Sequence, residues 1–422
     1  MTIANETTWA IAALSVLGVI LRPWRLPEAI WVVAGATMLL VLGLLPITAA
    51  LTAIARGTDV YLFLIGMMLL AELARKEGLF DYLAARATHL AAGSATRLFA
   101  IVYGVGTLIT TFMSNDATAV VLTPAVFAAT TAARVRNPLP YLLICAFIAN
   151  AASFVLPISN PANLVIFDGH MPPLPQWFAR FAMPSLLSIA VTAAVLWLTQ
   201  RHALAQEEIA TDVVVPPLSR GGRTTAGGIV ATGVLLLLVS GRGRDLGMPT
   251  FLAGLATAAI VLLLKRESPR AVVTDISWEI LPLVAGLFVL VEALDRSGLL
   301  PALVHLMRTA ADRSVILTTW LTGVTLAVGC NLVNNLPAGL LAGSVVSAAR
   351  VPPTVASAVL VGIDLGPNLS VTGSLATILW LTALRREKLE VSAWSFLKLG
   401  VLVMPPALLL ALTALLFFHP TP

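Results

Sequence analysis

Met113-Ser114-Asn115-Asp116-Ala117-Thr118 interrupts a long apolar run with polar residues, and Leu332-Val333-Asn334-Asn335-Leu336-Pro337 interrupts another in the same way. Outward from these two stretches the halves of the chain keep matching. Ile65-Gly66, Glu72 and Gly78-Leu79 read like Ala285-Gly286, Glu292 and Gly298-Leu299 at a constant offset. The break Pro157-Ile158-Ser159-Asn160-Pro161-Ala162-Asn163 is answered by Gly366-Pro367-Asn368-Leu369-Ser370-Val371-Thr372-Gly373-Ser374. Interruptions at corresponding places in two halves point to a secondary transporter with its site between the halves.

Composition agrees. The 422 residues are 58% hydrophobic and 11% charged, against about a quarter charged in a soluble domain. Runs such as Phe181 to Thr199 and Pro405 to Phe418 fit bilayer spans of roughly 20 residues. No porin-like alternation is visible. Met1 to Thr8 lacks a basic start, so no cleaved signal peptide is expected. The net charge of +5 is scattered among spans and reads as topogenic, not as a nucleic-acid surface. Cys145 and Cys330 are too far apart for a zinc spacing. His89, His170, His202, His305 and His419 fall near loops or span ends.

The expected fold is an all-α polytopic membrane protein of about ten transmembrane helices, two re-entrant hairpins and two broken helices. In the first half, spans are expected near Trp9 to Leu21, Glu28 to Leu45 and Val60 to Ala74. A surface helix near Phe80 to Ala91 follows, then a hairpin from Leu98 to Ala133, a broken span from Tyr141 to Phe167 and a last span from Phe181 to Thr199. The second half repeats this near Gly228 to Val239, Thr250 to Leu264 and Ile280 to Leu294. Its hairpin runs from Ile316 to Ala349, its broken span from Pro353 to Leu384 and its last span from Phe396 to Phe418.

Residues 1–200 form the first repeat and 224–422 the second. Between them, 201–223 carries Glu207, Glu208, Asp212, Pro216 and Pro217 and reads as a solvated linker. With the amino terminus outside, the first half puts Arg22, Arg25, Arg75, Lys76, Arg86, Arg97, Arg134, Arg136, Arg201, Arg220 and Arg223 inside, against Arg56 and Arg180 outside. The second half splits more evenly, with Lys265, Arg266, Arg270, Arg385, Arg386, Lys388 and Lys398 inside against Arg242, Arg244, Arg296, Arg308, Arg313 and Arg350 outside, so the first half decides. Both termini are then periplasmic and the linker cytoplasmic. Five crossings per half is odd, so the repeats are expected to be inverted.

Polar side chains within a membrane are costly unless satisfied. Asn115, Asn160, Asn163, Asn334, Asn335 and Asn368 cluster at the four breaks, with Ser114, Thr118, Ser159, Thr372 and Ser374 beside them. Such groups can cap freed helix ends, and they can also line a polar cavity. Two carboxylates share these places. Asp116 and Asp364 each read either as a proton carrier or as an ionised helix-start residue. They are not expected to be equivalent: Asp116 falls on Asn335, and Asp364 has no carboxylate partner in the first half. A hairpin tip can face each side in turn, which favours Asp116 as the carrier. Glu72 and Glu292 match across the repeat near span ends and read as structural. Two intramembrane aspartates also allow an aspartyl protease dyad, but Val361-Gly362-Ile363-Asp364 lacks the Gly-x-Gly-Asp of such enzymes. There is no Gly-x-x-x-x-Gly-Lys-Ser/Thr run, so ATP hydrolysis by this chain is not expected.

Phe112 to Pro124, Val333-Asn334-Asn335-Leu336-Pro337, Gly362 to Asn368 and Thr372 to Trp380 together resemble the arsenite efflux pumps of the ArsB type, in the ion transporter superfamily. The resemblance implies two inverted repeats and export of arsenite and antimonite driven by proton antiport across the inner membrane, with no cofactor. Some members work with a partner ATPase. In some relatives an acidic residue is expected where Asn150 stands. Pro157 to Asn163 is also similar to sodium/dicarboxylate carriers, so a sodium/proton antiporter or sodium-coupled anion carrier is the alternative. A neutral trihydroxide needs amides and hydroxyls as partners, which these breaks supply. An anion would favour Lys or Arg, which none of the four breaks contains.

Overall fold

The computed structural model describes residues 3–21, 26–167, 171–211, 214–240, 242, 244–276 and 278–418. Arg22, Arg25, His170, Asp212 and His419 lie outside the described residues. Every regular element among the described residues is a helix.

Among the described residues six helices are long and apolar enough to cross a membrane: Ala95–Phe112, Leu174–Ala205, Arg220–Ser240, Gly247–Lys265, Val315–Val333 and Ala393–Phe417. The pair Ile47–Arg56 and Thr58–Lys76, bent by 48° at Gly57, is long and apolar enough when taken together. The remaining expected spans are shorter apolar helices or helices broken at the polar motifs. The chain is thus a multi-pass membrane protein. Its second half carries an amphipathic helix of its own, Leu299–Arg313, matching Leu79–Ala91; the sequence reading placed only the first.

Corresponding helices make reciprocal contacts. Thr58–Lys76 packs on Gly247–Lys265, and its counterpart Ile280–Arg296 packs on Glu28–Val41, the counterpart of Gly247–Lys265. The approach is close: a Cβ on Gly254 would lie 2.6 Å from the Gly66 carbonyl oxygen, as small residues at membrane helix crossings allow. Leu174–Ala205 packs against its own counterpart Ala393–Phe417, each with proline inside.

The core is built from the two broken helices. Leu139–Ala151 is buried from Pro140 onward, and Pro353–Leu365 from Ser357 onward. Their continuations, Pro161–Phe167 and Leu375–Arg386, exchange partners. Pro161–Phe167 lies against the second hairpin arm, Asn335–Ala349, and Leu375–Arg386 lies against the matching part of the first hairpin. A Cβ on Gly343 would meet the Ile166 carbonyl oxygen at 2.5 Å, so the exchange brings backbone against backbone. The connector is less free than its composition suggests. Glu207 accepts from the Arg136 and Asn137 N–H groups at 2.9 Å each, and Ser219 donates to Glu77 at 2.9 Å.

Candidate functional site

Both hairpins turn at the expected motifs. Ser114 caps the short helix Asn115–Ala117, accepting from the Ala117 N–H at 3.2 Å. Asn334 caps Asn335–Ala349, accepting from the Leu336 N–H at 3.3 Å. Asn334 has φ 69° and ψ 151°, a conformation that costs a non-glycine residue free energy and is found where surroundings enforce it. The caps correct the sequence alignment. Ser114 falls on Asn334, so Asn115, not Asp116, corresponds to Asn335, and Asp116 falls on Leu336. The first hairpin then passes through a π-helical stretch, Thr118–Leu122, a feature frequent at functional sites.

Several candidate residues hold the breaks in shape. Thr118 pairs with Thr110 at 2.8 Å. Ser159 donates to the Thr111 carbonyl at 2.8 Å, tying the first broken helix to the first hairpin. Asn335 donates its backbone N–H to the Gly373 carbonyl at 2.9 Å, tying the second hairpin to the second break. Thr372 donates to the Asn331 carbonyl at 2.8 Å. Asn115 accepts from the Asp116 N–H at 2.9 Å.

At the centre the two halves meet through side chains. Asn160 Nδ2 donates to Asp364 Oδ1 at 2.7 Å, while Asn160 Oδ1 accepts from the Ala162 N–H at 3.0 Å. The corresponding bond runs the other way: Ser374 Oγ donates to Asn150 Oδ1 at 3.2 Å, while Ser374 caps the Thr377 N–H at 3.2 Å. At one constant offset Asn150 falls on Asp364, Asn160 on Ser374 and Asn163 on Thr377. These are therefore two versions of one contact, with a carboxylate in one and an amide in the other. Asn368 strengthens the junction, donating to the Phe147 carbonyl and accepting from Asn150 Nδ2, both at 3.0 Å.

Asp364 is fully buried, and no Lys or Arg among the described residues pairs with it. Its Oδ2 has no hydrogen-bond partner, and neither has Oδ1 of the equally buried Asn163. Asn163 spends its amide nitrogen on the Ser153 and Leu156 carbonyls at 2.9 and 3.4 Å. The Ser153 hydroxyl, close enough to serve Asp364, is committed to the Asn150 carbonyl at 2.7 Å. Asp116 is half-buried in the first turn after its cap, where the helix end favours negative charge. Among the described residues it shares no hydrogen-bond partner with Asp364.

The sequence reading left Asn150, Ser153, Asn331, Ser370 and Thr377 out of the site. Asn331 bridges the Ala327 and Gly366 carbonyls at 2.7 and 3.0 Å and accepts from Ser370 at 2.7 Å. The offset that carries Asp364 onto Asn150 could have found Asn150 and Thr377. Two cavities lie at corresponding places in the halves. One of about 380 Å³ is bordered by Arg56, Asp59, Leu164, Asp245 and Phe288. Its counterpart, beside Glu28, Leu283, Asn334 and Leu375, holds about 10 Å³.

Paired helix breaks joined by buried polar contacts, inside a bundle of apolar spans, define a polytopic membrane transporter of the secondary class. The chain belongs to the family described as citrate transporter, CitMHS, whose family model matches residues 16–364. It is 26% identical to an arsenical pump membrane protein of Yersinia enterocolitica, over 83% of this chain and 84% of that one. It is likewise 26% identical to an arsenical pump membrane protein of Escherichia coli K12, over 96% and 97%. The resemblance read from the motifs thus extends over nearly the whole chain. In fold it is similar to the YdaH transporter of Alcanivorax borkumensis, with a TM-score of 0.56 at 15% identity, covering 87% of each chain. It is also similar to MtrF of Neisseria gonorrhoeae, with a TM-score of 0.54 at 13% identity, covering 87% of this chain and 83% of that one.

Proposed function

We propose that this protein exports the neutral trihydroxides of trivalent arsenic and antimony across the inner membrane in exchange for protons, and that Asp364 carries the proton. The observation that carries the reading is the buried Asp364 carboxylate, held by an amide from the other half with no paired cation among the described residues. A charge so placed is expensive unless it is neutralised, and a proton neutralises it reversibly. The rest of the junction consists of amides and hydroxyls, suited to a hydroxylated neutral solute. The names of the arsenical pump relatives support the same substrate. Citrate, from which the family takes its description, would bring carboxylates against an uncompensated Asp364.

In this reading 1–200 and 224–422 are inverted repeats and their breaks meet near the midplane. The termini face the periplasm and 201–223 faces the cytoplasm, available to a partner ATPase. Asp116, at a hairpin tip beside its cap, serves the helix start. The larger cavity, on the Arg56 side, is the periplasmic exit, and its collapsed counterpart is the closed cytoplasmic entrance.

The test is uptake into everted vesicles from cells expressing the protein, with arsenite, antimonite, citrate or succinate outside, with and without sodium. Sodium-independent, protonophore-sensitive accumulation of arsenite and antimonite is expected. Accumulation of citrate, or of succinate with sodium, would overturn the reading.

A further inference from the structure

Two buried oxygens at the junction lack donors, and both are acceptors. Asp364 Oδ2 and Asn163 Oδ1 are each fully buried and unpartnered. Asn160, three residues before Asn163, donates to the same Asp364 carboxylate, and the corresponding pair of the other half, Asn150 Nδ2 and Thr377 Oγ1, lies 3.5 Å apart. Both also border Ser153, whose carbonyl is bound by Asn163 and whose hydroxyl is already used. Buried polar atoms of native proteins rarely go unmatched. A pair of orphan acceptors calls for an occupant that donates.

We propose that Asp364 Oδ2 and Asn163 Oδ1 together accept two hydroxyl hydrogens of the transported trihydroxide, and that the substrate and the proton compete for that single carboxylate oxygen. The proposal rests on the transport reading above and deepens it. A proton on Oδ2 turns an acceptor into a donor. The substrate hydroxyl then loses its partner, and the solute is released. On the other side loss of the proton restores the acceptor. Exchange therefore needs no separate relay: one proton replaces one neutral molecule, and the two are never held together. An anion is rejected because both free atoms are acceptors.

The nearest charged side chains come from Thr58–Lys76, which packs on Pro161–Phe167 and brings Asp59 to the cavity bordered by Leu164 and Val165; the other neighbouring elements offer few titratable groups. Leu139–Ala151 carries Tyr141 and Cys145, and Pro161–Phe167 and Asn335–Ala349 carry no charged residue. Val315–Val333 offers the buried Cys330 thiol, and Ala393–Phe417 carries Lys398, which lies over the Trp394 ring.

The experiment is equilibrium dialysis of purified full-length protein against arsenite between pH 5 and 8. The dissociation constant of the unmodified protein is expected to rise about tenfold per pH unit below the Asp364 carboxyl's own pKa, with a slope of one proton. Asp364→Asn should bind weakly with a flat profile. Asn163→Leu should weaken binding about tenfold and keep the slope. A flat profile in the unmodified protein, which requires no variant to fold, would overturn the competition while leaving arsenite as the substrate. A slope that persists in Asp364→Asn would overturn it as well. Absence of arsenite binding at every pH would instead overturn the substrate on which the proposal rests.

Discussion

Asn160 and Asp364 come from opposite halves of the chain and share a 2.7 Å hydrogen bond in the buried centre. Its counterpart is Ser374 on Asn150 at 3.2 Å. The junction is thus nearly two-fold in geometry but not in charge: one half carries a carboxylate where the other carries its amide analogue.

If the geometry is interchangeable, the charge should be movable. Asp364→Asn alone should abolish gradient-driven flux. Adding Asn150→Asp should restore a measurable part of it, about a tenth or more, because the carboxylate then faces Ser374 as Asp364 faces Asn160. Initial rates of arsenite uptake in vesicles check this. A double variant as inactive as Asp364→Asn, with normal folding, would show that the halves are not functionally equivalent.

The turn at Asn334 combines a cap with a positive φ. Asn334→Ala should cost about 1 kcal/mol for the cap and roughly another 1 kcal/mol for the left-handed backbone. Asn334→Gly loses the cap but not the backbone compatibility, so it should melt above Asn334→Ala. Thermal unfolding in detergent gives the order; the reverse order would mean that the turn relaxes once the cap is gone.

Recognition through hydroxyls needs no sulfur. Cys145 and Cys330 are both free and fully buried. Cys145→Ala with Cys330→Ala should lower the melting temperature through lost packing and leave arsenite flux within about twofold. Loss of flux in a well-folded double variant would assign a thiol to the site.

Outside the membrane segments, the Lys76 ammonium beside Asp275, joined by Arg75, holds the Asp275 carboxyl below the usual carboxylate range. A lowered folded-state value stabilises above the unfolded value of about 3.9 and loses that contribution as pH falls through the folded value. Asp275 is exposed, so the effect is small. The melting-temperature gap between the unmodified protein and Asp275→Asn should be present at pH 7 and narrow below pH 4.

The breaks were legible in the sequence because Asn and Pro inside apolar runs have few other uses. Ser114 and Asn334, Asn160 and Ser374 all start helices as their types suggest. Asn150 stood out only through the resemblance; its pairing with Ser374 needed the offset that carries Asp364 onto Asn150, which the motifs at the breaks do not reveal by themselves. The alignment of Asp116 with Asn335 slipped by one residue because adjacent polar residues give no register without the caps. Leu299–Arg313 was passed over because charged residues at its end masked its apolar face.

Exchange of a neutral trihydroxide for a proton at Asp364 ties substrate flux to proton flux. The most direct measurement uses acid-interior proteoliposomes with arsenite outside, following arsenite and internal pH together. Arsenite should accumulate with a matching arsenite-dependent alkalinisation of the interior; accumulation should fail once a protonophore has collapsed the gradient beforehand, and both signals should be lost in Asp364→Asn. Arsenite accumulation with unchanged proton movement in Asp364→Asn would contradict it.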